Sequence, residues 1–370
     1  MRSMSGAVQL RVCPERCLFD DPLRVQVSGL IPGQEVTLRT ELTDEGGELF
    51  TSLGRYLSHN AKLSLIYKTP HVELCLPPES DPLLLEKVKQ HKMLNQSSKG
   101  KSTGPGPFPG IIDLYGTGGG LMEHRASLLA NHGFATMALA FFDYDDLPNN
   151  LGGLHLDYFR EGLEFLRRHP KVNKQEIGII GLSKGADLAI TMATFLPGVK
   201  AVVSISGCNA NTMAPLPCDG FVQPCLGFSA EKIKFTEAGE ADLSEFMEDP
   251  MDPAFQECLI PAERSSASFL LLSGLDDKNW PSALYTKQFV ARLKEHNKDV
   301  ESCYYPGAGH LLEPPYFPLC KASKHKLLGM PMLWGGQLRA HAKAQEDAWK
   351  RILTFFSKQL KANITTYSRL

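Results

Sequence analysis

The stretch from Glu176 to Leu188, EIGIIGLSKGADL, constrains what this chain can fold into more than any other. Ile177, Ile179 and Ile180 around Gly178 make a short apolar run of the kind a buried strand needs. Gly181-Leu182-Ser183-Lys184-Gly185 follows as G-x-S-x-G, and from Ala186 onward the apolar residues take helical spacing. Strand, sharp turn and helix form the context of a strained serine elbow. There Ser183 would stand out above the sheet edge with a helix N-terminus aimed at it. The glycines are a steric requirement, because side chains in so tight a turn would strike the neighbouring strand and helix. Five residues alone would equally fit an ordinary βα turn; the flanking strand and helix favour the elbow.

A chain of 370 residues with 43% apolar content predicts one large α/β domain with a smaller partner. A formal net charge of −2 argues against a nucleic-acid binder. Nine cysteines are scattered without metal-like pairs; Cys13 and Cys17 sit close together but have no complementary pair, and the usage fits a reducing compartment. No metal and no cofactor is expected. The opening MRSMSGAVQLRV lacks the apolar run of a signal peptide, and no later run is long enough for a membrane span. The sequons at Asn95 and Asn363 are therefore read as silent.

Residues 1–76 are read as a small β-sandwich-like module. VQLRV, LRVQVSG, EVTLRTEL and LFTSLGRYL alternate apolar and polar residues between turns such as Ile31-Pro32-Gly33 and Asp44-Glu45-Gly46-Gly47. Only about five strands fit, fewer than a full sandwich uses. Residues 77–109 read as an irregular Ser/Gly/Pro/Lys linker, with a short helix conceivable over SDPLLLEKVKQHKML. From 110 to 362 strand and helix patterns alternate. Strands are expected at Ile111–Tyr115, Phe134–Phe142, Ile177–Ile180, Val199–Ser206, Ala267–Ser273 and Glu301–Tyr305. Helices are expected at Glu123–Asn131, Leu154–Arg168, Ser282–His296 and Ala344–Leu360, besides the one after Ser183. That order predicts a doubly wound, mostly parallel sheet, with 208–262 as an insertion over its edge. Residues 363–370 form a tail.

A serine nucleophile needs a base and an orienting carboxylate, and α/β-hydrolases supply them in the chain order Ser, Asp, His. The run FLLLSGLDDKNWP places Asp276 and Asp277 just past an apolar strand. Asp277 is preferred because Asp-x-x-x-Pro then opens the next helix, which leaves Asp276 as a neighbour or helix cap. His310 ends CYYPGAGH, a strand running into a glycine loop able to carry the imidazole toward Ser183. His169, His296 and His341 fall in helical or surface patterns and are read as bland. Gly116-Thr117-Gly118-Gly119-Gly120 follows the first strand of the series and matches neither a Walker A motif nor G-x-G-x-x-G. A glycine loop in that place can supply an oxyanion-hole N–H from Gly116, Thr117 or Gly118. The residue after the nucleophile, Lys184, would supply the other.

These residues resemble the acyl-CoA thioesterase and bile acid-CoA:amino acid N-acyltransferase family. The resemblance is carried by PGPFPGIIDLYGTGGGLMEHRASLLA, GIIGLSKGADLAI, LSGLDDKNWPS, YYPGAGHLLEPPYFPLC and WGGQLRAHAKAQEDAWKRILTFF, and covers 105–360 densely and 8–56 loosely. It implies an N-terminal β-sandwich before an α/β-hydrolase domain, action on CoA thioesters, and Ser183, Asp277 and His310 as nucleophile, acid and base. Between about His59 and Pro105 the chain is some tens of residues shorter than the family pattern, so the N-terminal domain is read as truncated. The transferase branch, which conjugates acyl groups to glycine or taurine, resembles this chain but carries cysteine as nucleophile; Ser183 favours the thioesterase. A non-catalytic truncated relative and an ordinary carboxylesterase are the other readings. Ser368-Arg369-Leu370 resembles a peroxisomal address of the S-K-L type, which implies the peroxisome and its import receptor, with the cytosol as alternative.

Overall fold

The computed structural model describes residues 8–13, 23–43, 49–58, 62–67, 93–94 and 106–362. They divide into two compact units, the first made mostly of residues before 88. In that unit Gln9–Cys13, Leu23–Ser28 and Lys62–Tyr67 pair antiparallel as one small sheet, and Glu35–Thr43 pairs with Leu49–Leu57 as a hairpin. Buried Val27 and Leu30, with Val36, Leu38 and Tyr56 against them, form its small core. The Ile31-Pro32-Gly33 turn forms as expected: Gln34 N–H bonds the Ile31 carbonyl at 3.0 Å, and Gly33 takes φ 78° where a side chain would be strained. The turn expected at Asp44–Gly47 lies outside the described residues, as does most of the linker assigned to 77–109. So do the tail and its Ser368-Arg369-Leu370.

The second unit is built on six parallel strands: β1 (Phe108–Leu114), β2 (Ala135–Ala138), β3 (Val172–Leu182), β4 (Val199–Ile205), β5 (Ser268–Gly274) and β6 (Val300–Tyr305). Their spatial order is β6-β5-β4-β3-β1-β2. Met93–Leu94 adds an antiparallel edge beside β2, so the end of the segment read as a short helix is strand instead. Its two residues find unpaired backbone groups on β2, and ladder bonds there outweigh local helix propensity.

Five helices cover the sheet: α1 (His124–Asn131), α2 (Leu156–Arg168), α3 (Lys184–Phe195), α4 (Ser282–Glu295) and α5 (Leu338–Gln359). Because strand side chains alternate faces, Ile112 and Leu114 pack with Phe159 of α2, Leu188 of α3 and Phe289 of α4. Ile111 and Ile180 instead pack with Leu129 of α1 and with Trp349 and Phe356 of α5. A sheet buried on both faces explains why β3 is almost continuously apolar from Ile177 to Leu182. Burying each such Leu, Ile or Phe contributes about 1.5–3 kcal/mol. Gly178 is part of this fit, since a Cβ there would lie 2.7 Å from the Phe356 ring.

Several boundaries differ from the sequence reading: β1 begins at Phe108, inside the stretch read as linker, and β3 at Val172, five residues before the expected Ile177. The strand expected to run to Phe142 ends at Ala138; Leu139 still donates its N–H to the Asp113 carbonyl of β1 at 3.0 Å, and Phe141 and Phe142 stay buried beyond it. The last helix starts at Leu338, one and a half turns before the expected Ala344. The insertion 208–262 forms short strands; Ala241–Asp242, with Lys234–Phe235, joins Pro331–Leu333 and Ala322–Lys324 in a small four-stranded sheet. Among the described residues, no helix is long and apolar enough to cross a membrane.

Candidate active site

Ser183 sits between β3 and α3 with φ 56° and ψ −125°, a conformation that L residues avoid and that costs on the order of 1–3 kcal/mol. The turn around it leaves no room at its glycines. A Cβ on Gly181 would lie 2.1 Å from the Gly185 carbonyl oxygen, and one on Gly185 2.2 Å from that of Tyr115. G-x-S-x-G is thus imposed by backbone contact on both sides. Ser183 N–H is bound to the Ile205 carbonyl at 2.9 Å, which fixes the elbow to the end of β4.

Lys184 opens α3, and its N–H is among those that a helix leaves without an intrahelical acceptor. Its side chain turns inward. Nζ donates to the Asn211 side chain and the Thr212 carbonyl, both at 2.8 Å, and pairs with Asp187. Thr212 donates its N–H and hydroxyl to Asp187 at 2.9 and 2.7 Å. Burial pushes the Asp187 carboxyl up to about 6 against the pull of Lys184 and Thr212. This network fastens the start of the insertion to the first turn of α3, next to Ser183.

His310 follows β6 on the loop Pro306–Gly309. Its Nδ1 is 2.9 Å from Asp277 Oδ2. Asp277 also accepts the Ser282 hydroxyl at 2.5 Å and the N–H groups of Asn279 and Trp280 at 2.9 and 3.3 Å. Asp276 instead accepts Gly336 N–H at 3.1 Å. The choice between the two aspartates therefore falls on Asp277 geometrically, and the helix-capping role considered for Asp276 is not observed. With the carboxylate on Nδ1, that nitrogen carries the proton and Nε2 keeps its lone pair. Nε2 is buried and has no hydrogen-bond partner among the described residues.

The imidazole is held on several sides. Trp334 stacks on it at 5.7 Å and 24°, and Trp280 meets it edge-on at 5.7 Å. The His310 backbone N–H donates to the Trp334 carbonyl at 2.8 Å, and the His310 backbone carbonyl accepts the Ser206 hydroxyl at 2.8 Å. His341, read as bland from sequence, anchors the same loop: its Nδ1 accepts Gly309 N–H at 3.1 Å and Nε2 lies 3.0 Å from the Leu311 carbonyl. That role carried no sequence signal because it depends on α5 starting beside the loop.

The glycine loop is brought to the serine. A Cβ on Gly116 would lie 3.0 Å from Ser183 Cβ and 3.5 Å from its hydroxyl oxygen. Thr117 is half-buried and bonded to His325, while Gly118 is exposed. The strand before the loop is pinned by a buried pair, Arg125 Nε donating to Asp113 at 3.0 Å. Beside it Glu313 accepts the Tyr115 hydroxyl and lies 2.9 Å from His124 Nε2. Burial alone would raise the Glu313 carboxyl, but His124 and Arg125 hold it below its ordinary range. Of the residues expected at the site, Gly116 is thus against Ser183 and Asp277 is on His310, all at the carboxyl ends of β1, β3, β5 and β6.

A strained serine after a central parallel strand, with an Asp–His pair beyond later strands and a glycine loop against the serine, defines an α/β-hydrolase. A family model described as "BAAT / Acyl-CoA thioester hydrolase C terminal" matches residues 154–362, and "Acyl-CoA thioester hydrolase/BAAT N-terminal region" matches 20–63. The chain belongs to this family. Human acyl-coenzyme A thioesterase 2, mitochondrial, is 40% identical over 93% of this chain and 83% of its own length. Human acyl-coenzyme A thioesterase 1 is 40% identical over 93% and 95%. The mouse peroxisomal succinyl-coenzyme A thioesterase is 38% identical over 96% of each. The alignment to the first spans 406 positions, more than the 370 residues here, so that relative carries residues without counterpart in this chain.

Proposed function

We propose that this chain hydrolyses acyl-CoA thioesters to free acid and CoA, with Ser183 as nucleophile, His310 as base and Asp277 as the acid that orients it. The observation that carries this reading is the held imidazole: Asp277 fixes its tautomer on Nδ1, and Nε2 stays unbonded at the strand ends where Ser183 stands. His310 takes the Ser183 proton as the oxygen attacks the thioester carbonyl. Backbone N–H groups of Lys184 and of the loop beginning at Gly116 stabilise the oxyanion, each to the extent of a few kcal/mol. The C–S bond breaks, and CoA leaves as a thiol of pKa about 8.5, protonated by His310. Water, deprotonated by His310, then attacks the Ser183 ester; the free acid departs and the serine recovers its proton. Family membership supports the thioester as substrate. A serine ester passes its acyl group to water more readily than to an amine, which favours hydrolysis over glycine or taurine conjugation.

We place the start of the acyl chain at a small cleft lined by Gly116, Met122, Leu139, Phe141 and Phe142, with Asp113 and Tyr115 also in its wall. Gly116, which abuts Ser183, is part of its lining, and Leu139, Phe141 and Phe142 follow directly after β2. Met122 is 36% exposed and forms part of the lining, so it can be enlarged without disturbing the core. Met122→Trp is expected to lower kcat/KM for long acyl-CoA substrates roughly tenfold or more relative to short ones. A panel of chain lengths measures this; an unchanged profile would place the acyl chain elsewhere.

Peroxisomal import through Ser368-Arg369-Leu370 is proposed where Leu370 is the C-terminus, in keeping with the peroxisomal relative. Deleting these residues should leave a fluorescently tagged copy in the cytosol; persistent puncta would refute the address.

A further inference from the structure

We propose that His325 is a positioning residue for the Gly116–Gly120 loop, acting through the Thr117 hydroxyl; the inference rests on the thioesterase reading of that loop. His325 Nε2 lies 2.8 Å from Thr117 Oγ1 across 208 residues of sequence. The direction of this bond follows from the other nitrogen. Leu328 N–H donates to His325 Nδ1 at 3.2 Å, so Nδ1 holds the lone pair and Nε2–H donates to Thr117. The ring is 5% exposed, and burial, then the nearby His310, disfavours its charged form, which would break the Leu328 bond.

The imidazole is held as firmly as the loop it grips. His325 N–H bonds the Met330 carbonyl at 2.9 Å and its own carbonyl accepts Gly329 N–H at 2.8 Å, closing the turn between Ala322–Lys324 and Pro331–Leu333. Its ring lies 5.9 Å from that of Trp334, whose ring also stacks on His310. The next residue, Lys326, pairs with Asp143, against whose Cβ Gly119 rests. One hairpin thus bonds the glycine loop at Thr117 and pairs with Asp143 beside Gly119, and Trp334 just after it stacks on the candidate base.

Four of the five residues 116–120 are glycine, and such a segment has the most freedom to lose when it must present an N–H in one orientation. Gly116 and Thr117 are the part nearest Ser183, and the Thr117 hydroxyl is the side chain that can fix them. A donor held by a half-free loop would be misplaced as the oxyanion forms, and misplacement on the scale of an ångström is costly to the rate. His325 therefore acts on kcat and not on substrate binding.

The test is a double-mutant cycle with Thr117→Val, which keeps the side-chain shape but cannot accept in the same way, and His325→Phe, which keeps a ring against Trp334. Each is expected to lower kcat on an acyl-CoA thioester about tenfold with KM changed less than about twofold. The double variant is expected to be no slower than either single one, and Thr117→Ser, which restores the hydroxyl, to recover most of the kcat that Thr117→Val loses. Losses that multiply in the double variant, losses confined to KM, or single variants with wild-type kcat would each overturn the inference. The same cycle on the rate at which a fluorophosphonate labels Ser183 needs the oxyanion donors but no acyl-CoA. A wild type that labels yet hydrolyses no acyl-CoA would refute the substrate, and the labelling cycle would still decide the role of His325.

Discussion

Asp277→Asn is expected to lower kcat for acyl-CoA hydrolysis on the order of 10⁴-fold, with the fold intact. The carboxylate holds the proton on His310 Nδ1 at 2.9 Å. An amide can turn its NH₂ toward Nδ1, which then keeps the lone pair and moves the proton to Nε2, where it cannot accept from Ser183. The N–H groups of Asn279 and Trp280 donate to Oδ1 and hold the side chain in place, while the Ser282 hydroxyl on Oδ2 can turn to accept from the amide, so Asn is expected to occupy the same position. Asp276→Asn removes only a charge that accepts Gly336 N–H at 3.1 Å, and is expected to keep kcat within about tenfold. Steady-state kinetics of both variants, with melting curves, makes the comparison. A larger loss at Asp276 would reverse the assignment of the acid.

Much of this architecture is legible in the chain because its cues are local. Buried parallel strands announce themselves as apolar runs, and G-x-S-x-G works as a signal because a Cβ on Gly181 or Gly185 would meet backbone at little over 2 Å. The preference for Asp277 over Asp276 came from the proline opening α4, and Pro281 does cap that helix. What was not legible is set by contacts between distant segments. His325 and Trp334 lie after His310 in a stretch without strand or helix periodicity, and His341 in a helical or surface pattern with no mark of a role. Their roles exist only because Lys321–His325 folds against 331–335 and α5 begins beside the His310 loop. The buried Lys184 side chain was also missed; a lysine after Ser183 reads as exposed until Asn211, Thr212 and Asp187 are known to surround it. Leu139, Phe141 and Phe142 were read as strand because apolar content cannot separate residues that pair in a ladder from residues that wall a cleft.

Ser183→Ala is expected to have the largest effect of all, a loss on the order of 10⁶ in kcat, because the acyl-enzyme route cannot begin without the hydroxyl. The remaining rate would come from the oxyanion donors and from binding. The substitution should cost little stability, since the Ser183 side chain makes no cap bond to α3, while its N–H bond to Ile205 is kept. The strained φ of 56° falls on alanine as it does on serine. The decisive measurement is CoA thiol released from an acyl-CoA thioester by wild type and Ser183→Ala side by side, with free acid quantified in the presence of taurine. The account predicts CoA and free acid in equal amounts from the wild type, little N-acyl taurine, and no release above background from the variant. Undiminished release from Ser183→Ala, or amide formed faster than acid, would contradict it.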